Sequence, residues 1–256
     1  MRHSALIALS VLWGVSCCFP ANAHSQGRSQ GRVGAGVEVF RQDTDLKVES
    51  ATDYDGSTMT AEQRAKNWDV LGSTAGARLS YTFPRLVTLF GEGGIAQATV
   101  REKNVADPEQ NVASQALDDG TYLAGGVRVG EDFGAKGNLF WQMAGTVSAV
   151  SASLDQDITT SWNYDETRFE VAGKLGTWVR QVGFYGGLRL VSSNANLDET
   201  DRTRLPGEQT RRTELRRDGS VDLLLGAQTR GPDVTGFAEV GLVGTFSANA
   251  GVSVGF

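Results

Sequence analysis

Histidine is nearly missing from this chain. Of 256 residues only His3 and His24 are histidine, and both precede the part expected to fold. That leaves no imidazole to act as general base, nucleophile partner or metal ligand. Cysteine is as scarce, because Cys17 and Cys18 are adjacent and lie in the first apolar segment. Removing that segment would remove disulfides, thiolate metal sites and a cysteine nucleophile together. Lipid attachment at these cysteines fits poorly: Gly14 stands three before Cys17, where an aliphatic residue is wanted, and Cys17 stands where Cys18 needs a small one. Net positive charge is also lacking. The formal charge of -6 becomes -7 without Arg2, which argues against nucleic acid as a partner. After Pro20 no stretch is apolar enough for a transmembrane helix, so a membrane protein of this composition has to cross as a barrel.

What is present begins with a leader pattern. Arg2 precedes the apolar run from Ala5 to Phe19, and after Pro20 comes the small-x-small triplet Ala21-Asn22-Ala23. The expectation is a signal peptide over 1–23, cleaved after Ala23, since the run is short for a span and no basic stop follows. A short N-terminal segment over 24–31 would then lead into the folded part.

From residue 32 onwards, apolar and polar or small residues alternate with period two. Val33, Ala35, Val37 and Val39 interleave with Gly34, Gly36, Glu38 and Phe40; Ala75, Ala77, Leu79, Tyr81 and Phe83 interleave with Gly76, Arg78, Ser80 and Thr82. The pattern recurs over 86–100, 121–129, 139–150, 167–179, 182–191, 221–229, 234–243 and 246–256. Short turns at Pro84-Arg85, 131–137, Arg180-Gln181 and 230–233 take turns with long polar segments near 46–67, 101–120, 151–166 and 192–220. The fifth outer connection, at Gly244-Thr245, is a tight hairpin. Short turns on one side and long loops on the other are the signature of bacterial barrels. The reading is therefore an all-β fold over 32–256: a closed antiparallel up-and-down transmembrane β-barrel of about ten strands, or eight or twelve if one hairpin is misread. Many of the 32 glycines fall inside these strands, which suits a crowded, curved wall better than a soluble sandwich.

The last strand, from Phe246 through Val252 and Val254 to the terminal Phe256, resembles the C-terminal assembly signal of bacterial outer-membrane proteins. The resemblance is to the small barrels of the OmpA and OmpX type as a class and to no single family. It implies export to the outer membrane, recognition by the barrel assembly machinery, and contact with lipid and lipopolysaccharide.

With apolar faces towards lipid, the inward faces collect Arg78, Arg128, Arg168, Lys174 and Arg189 with Glu38, Glu92, Glu170, Asp222 and Glu239. Five charges of each sign in a narrow barrel should neutralise one another, and the expected lumen is salt-bridged and plugged. A pore would favour one sign at its constriction. Tyr81, Phe83, Trp141, Phe184 and Phe256 fall near the turn ends, and Trp68, Trp162 and Tyr164 near the loop ends, as for two interfacial girdles. Strict alternation points Trp178 inward, against that scheme.

The histidine-dependent proteases, phospholipases and lipid A deacylases of outer membranes have no counterpart residues here. Carboxylate pairs do occur, at Asp43 and Asp45, Asp53 and Asp55, Asp118 and Asp119, and Asp155 and Asp157. They read mainly as a solvated loop surface, since one pair provides too few oxygens for a calcium cage. The segment 192–220 is the most charged, and Arg202, Arg204, Arg211, Arg212, Arg216 and Arg217 are its candidate contacts to phosphates or another anion. No cofactor or metal is implied. The leading expectation is a non-enzymatic barrel with a structural or surface-interaction, adhesin-like role towards an external ligand the sequence leaves open. A narrow channel for ions or small solutes is the alternative, and a surface hydrolase using Asp155 and Asp157 the second.

Overall fold

The computed structural model describes residues 31–58, 67–84, 87–103, 114–134, 137–155, 159–203, 209–231, 233–244 and 246–256. The expected signal peptide and N-terminal segment lie almost wholly outside these. Among these described residues ten strands follow in chain order: β1 (Arg32–Thr52), β2 (Asn67–Thr82), β3 (Val87–Lys103), β4 (Gln115–Phe133), β5 (Leu139–Asp155), β6 (Thr160–Val179), β7 (Val182–Asp201), β8 (Gln209–Thr229), β9 (Val234–Leu242) and β10 (Ser247–Gly255). Each pairs antiparallel with its sequence neighbour, and β10 pairs with β1 to close the barrel. Closure leaves no unpaired edge in lipid, the condition that a strand-built membrane protein has to meet.

The outward side chains of the lower half form an apolar belt. Val33 and Val37 on β1, Leu79 on β2, Ile95 on β3, Leu123 on β4 and Leu175 on β6 are among its exposed members. Tyr81, Phe83, Phe184 and Phe256 are exposed near its turn-side edge, where amphipathic and aromatic rings favour the headgroup region.

Above this belt the strands continue where the sequence suggested long loops. Residues 46–52, 115–120, 151–155, 160–166, 192–201 and 209–220 are all strand. The alternation persists there but changes faces: on β1, Gln42, Thr44 and Leu46 are buried while Arg41, Asp43, Asp45 and Lys47 are exposed. Apolar side chains now point inward. Leu46, Trp68, Val70, Ala98, Val100, Leu117, Ala152, Tyr164, Ala195, Leu197 and Leu215 form one buried cluster inside the barrel. Trp68 and Tyr164 therefore belong to this core and not to an outer aromatic girdle, because outside the lipid a barrel buries its apolar face inward like any soluble sheet. The structure thus has two halves with opposite sidedness.

A second departure from a simple cylinder is local to β9 and β10, which are nine residues each. They end in a tight hairpin at Val243 and Gly244, both with positive φ. Beyond their tip, β1 pairs directly with β8, Lys47 opposite Arg216 and Thr52 opposite Arg212. The barrel is ten-stranded below and eight-stranded above. β8 makes the switch with a bulge: Val191 faces Ser220 and Ser193 faces Arg217, so two residues of β8 oppose one of β7. Bulges bend a strand and re-aim its side chains.

Candidate functional site: the barrel interior

Glu38, Arg78, Arg128, Arg168, Glu170, Lys174, Arg189 and Glu239 line the cavity of the lower lumen, Glu92 and Asp222 are buried in the wall beside it, and most of these charges are bound into small networks. Arg78 on β2 bridges Glu38 of β1 at 2.5 Å and Glu92 of β3 at 2.9 Å, while Asn249 of β10 donates to Glu38 at 2.7 Å. The Arg78 guanidinium also stacks 4.5 Å over the Phe90 ring. Across the lumen, Lys174 of β6 is ion-paired with Glu239 of β9, which also accepts the Tyr185 hydroxyl at 3.0 Å. Higher up, Arg168 of β6 holds Glu166 at 3.0 Å, lies 3.7 Å from Glu170 and donates to Gln42 of β1.

The deepest network lies at the β8 bulge. Arg189 on β7 donates two bonds to Asp222, at 2.8 and 3.2 Å, and one to Ser247 at 2.7 Å. Arg217 approaches the second oxygen of Asp222 at 3.4 Å. Asp222 is fully buried and Arg189 nearly so. A carboxylate in that position is tolerated only because two guanidiniums offset its lost hydration.

Arg128 on β4 borders a cavity of about 400 Å³ that runs between these networks. The cavity reaches from Arg230 and Ser253 at the turn end to Val70, Ala98 and Tyr164 beneath the apolar cluster. At the turn end it is narrowed by Trp178, which points inward as strict alternation requires. Its ring packs 4.8 Å from that of Phe140, its indole N–H donates to Asp132 at 3.0 Å, and Arg230 sits 4.6 Å above it. Glycines make room for such inward rings. A Cβ at Gly176 would stand 2.4 Å from Phe140, and one at Gly226 would stand 2.5 Å from the Tyr185 ring.

The sequence-level candidates outside the lumen scatter. Arg212 and Arg216 point outward and pair with Asp198 at 2.7 Å and Glu49 at 3.2 Å. Arg211 and Arg217 point inward on the same strand, Arg202 is exposed at the end of the β7 hairpin, and Arg204 lies outside the described residues. The five described arginines are therefore not gathered on one protruding loop, because 209–220 is strand and alternation sends neighbours to opposite faces. Of the carboxylate pairs, Asp43 and Asp45 are exposed on the outer wall of β1. Asp53 and Asp55 hold a turn, accepting from the backbone N–H groups of Tyr54 and Ser57 at 2.8 Å each. Asp118 and Asp119 occupy the β4 bulge, Asp155 ends β5, and Asp157 lies outside the described residues. Among the described residues no group of three or more histidine, cysteine or acidic side chains is placed to hold a metal ion.

Phe246, Val254 and Phe256 of the last strand are exposed on the lipid side and Val252 is half-buried there. The Phe256 amide donates to the Val33 carbonyl at 2.8 Å, extending the β1–β10 seam by one step. Sequence reading missed Gln42, Glu166, Tyr185, Arg217 and Asn249 as lumen partners. Glu166 and Arg217 fall in segments expected as loops, although the swapped alternation, such as Thr213 and Leu215 against Arg212, Glu214 and Arg216, is visible in the sequence.

A closed, up-and-down barrel with a lipid-facing belt and a polar lower lumen is a transmembrane β-barrel of the bacterial outer-membrane class. That architecture is shared by a solved structure. The chain is similar to the outer-membrane protease OmpT of Escherichia coli, with 8% identity over 88% of this chain and 97% of that one and a TM-score of 0.52. It is also similar to the outer-membrane protein OprG of Pseudomonas aeruginosa, with 10% identity over 86% and 95% and a TM-score of 0.45. A third is the translocator domain of the autotransporter NalP from Neisseria meningitidis, with 15% identity over 99% and 96% and a TM-score of 0.44. At these identities the likeness is one of fold. No protein-family model matches the chain, and no curated protein matches it.

Proposed function

We propose that this protein is a closed, non-enzymatic barrel of the outer membrane that serves envelope structure and presents its outer end for surface contact. The observation that carries this reading is the apolar cluster across the outer half of the barrel, where Leu46, Val100 and Leu117 are all 0% exposed. Ions crossing the lumen would have to pass through this dry layer, and stripping a charge of water there costs several kcal/mol. The polar cavity beneath it is a blind pit in this reading. Lipid and lipopolysaccharide would surround the belt and its upper edge, and the strand ending at Phe256 would serve recognition by the assembly machinery.

Planar bilayers test the closed lumen. The purified barrel is expected to give no unitary conductance steps after insertion is verified by heat-dependent gel mobility. Stable steps of one size would instead establish the channel reading. For the hydrolase reading, Asp155→Asn combined with Asp157→Asn should leave any turnover unchanged, and its loss would assign that pair a catalytic role.

A further inference from the structure

Among the described residues, Arg128 is the one ionised side chain lining the lower cavity that makes neither an ion pair nor a hydrogen bond. Charges held inside a protein are ordinarily paired, so a lone guanidinium at membrane depth needs an explanation. The two carboxylates that attract it are held elsewhere: Glu38 by Arg78 and Asn249, Glu239 by Lys174 and Tyr185. Its nitrogens are not closed off in the wall, and the half-buried side chain opens into the cavity.

The strands around Arg128 keep that space free. Its neighbours on the inward face of β4 are Gly126 and Gly130, Ala144 lies opposite it on β5, and Ala172 continues the row on β6. Two larger side chains fold in over the glycines. A Cβ at Gly130 would stand 2.7 Å from Cγ of Gln142, and one at Gly126 would stand 2.7 Å from the Phe90 ring. An amide and an aromatic ring thus flank the guanidinium, and Thr146 lies one inward position above Ala144 on β5. Gln142 and Thr146 line the cavity and have no hydrogen-bond partner among the described residues.

We propose that this site binds a small organic carboxylate, which enters from the turn end of the barrel, the periplasmic side. A carboxylate presents two oxygens that match the guanidinium fork and that also accept from the Gln142 amide and the Thr146 hydroxyl. One unmatched positive charge calls for one negative charge. A monoanion supplies it, whereas a phosphate dianion would leave charge in excess. The body of the ligand meets the Phe90 ring, and the cavity of about 400 Å³ lies within the roughly 300–1,000 Å³ of small-molecule sites. The cavity reaches Trp178, Arg230 and Ser253 at the turn end, which gives the route in.

The test uses the full barrel in a non-ionic detergent and a chloride-poor buffer, titrated separately with acetate, propionate, lactate, propionamide and inorganic phosphate. Calorimetry and saturation-transfer NMR report binding. At least one carboxylate is expected to saturate, and propionamide, which has the shape of propionate without its charge, is not. Arg128→Met should abolish the binding. Arg128→Lys keeps the charge and loses the fork, so it should weaken binding by about tenfold or more, and it serves where the methionine variant does not fold. Retained heat-dependent mobility verifies that each variant is folded. Without ligand, Arg128→Met should unfold at no lower a temperature than the parent, because no partner is lost. Flat titrations of the parent with all three carboxylates overturn the proposal, and a lower unfolding temperature for Arg128→Met beside them would make Arg128 an internal counter-charge to Glu38 and Glu239. Carboxylate binding that both variants leave unchanged overturns it too, as does phosphate binding as tight as that of the best carboxylate.

Discussion

Asp222 shows how a single side chain can be held where its charge is least welcome. It is fully buried at the β8 bulge, between Arg189 and Arg217. Its replacement by alanine removes the carboxylate that both guanidiniums share. Asp222→Ala should destabilise the barrel by roughly 3–5 kcal/mol, read as a lower temperature for loss of the compact band on unheated gels. At the surface, Asp55 titrates with a smaller consequence. Hydrogen bonds from the Ser57 side chain and backbone lower its pKa from the ordinary 3.8. A depressed folded value means the turn gains stability above pH 3.8 and loses it as pH falls through that lower value. Amide exchange at Ser57 should therefore show less protection in strong acid, with the barrel amides unaffected.

At the scale of elements, the β9–β10 hairpin decides the shape of the barrel. It turns at Val243 and Gly244 with φ of 73° and 86°, two successive residues in the left-handed region. Glycine adopts this conformation freely, but a β-branched residue does so under strain. Val243→Gly should relieve that strain and stabilise the folded barrel by roughly 1 kcal/mol, less the added freedom of the unfolded chain. A higher unfolding temperature in detergent would register it; a fall would mean that the exposed valine gains more from its surroundings than the turn loses. Because the hairpin is short, the upper parts of β1 and β8 meet, and Ser50 bonds to Glu214 across a seam that no sequence-adjacent pairing would produce.

At the scale of the whole molecule, the barrel is two environments stacked on one set of strands. The lower half is supported by lipid outside and ion networks inside, the upper half by an internal apolar core. The two halves should respond separately. Combining Leu46→Ala with Leu215→Ala removes neighbouring members of the upper core, at roughly 2–5 kcal/mol for each buried leucine. Hydrogen exchange should rise at 47–52 and 212–216 while 33–41 and 221–229 stay protected. Uniform deprotection would show instead that the barrel opens as one unit.

Period-two alternation, with glycine inside strands and short turns facing long polar segments, was enough to read a closed antiparallel barrel of about ten strands, with eight or twelve left open. Those features are local, because each side chain's face follows from its position along its own strand. What lipid does to that pattern ends at the edge of the belt, and there the sequence reading stopped with it: Asn194, Asn196 and Asp198 looked like loop because outward polar residues cannot face lipid. Only the closed barrel shows that Ala195 and Leu197 between them join Leu215, Leu117 and Leu46 of other strands in one buried cluster. The seam between β1 and β8 and the two guanidiniums on Asp222 likewise depend on which distant strands become neighbours. Closure around the axis decides that, and no single strand carries it.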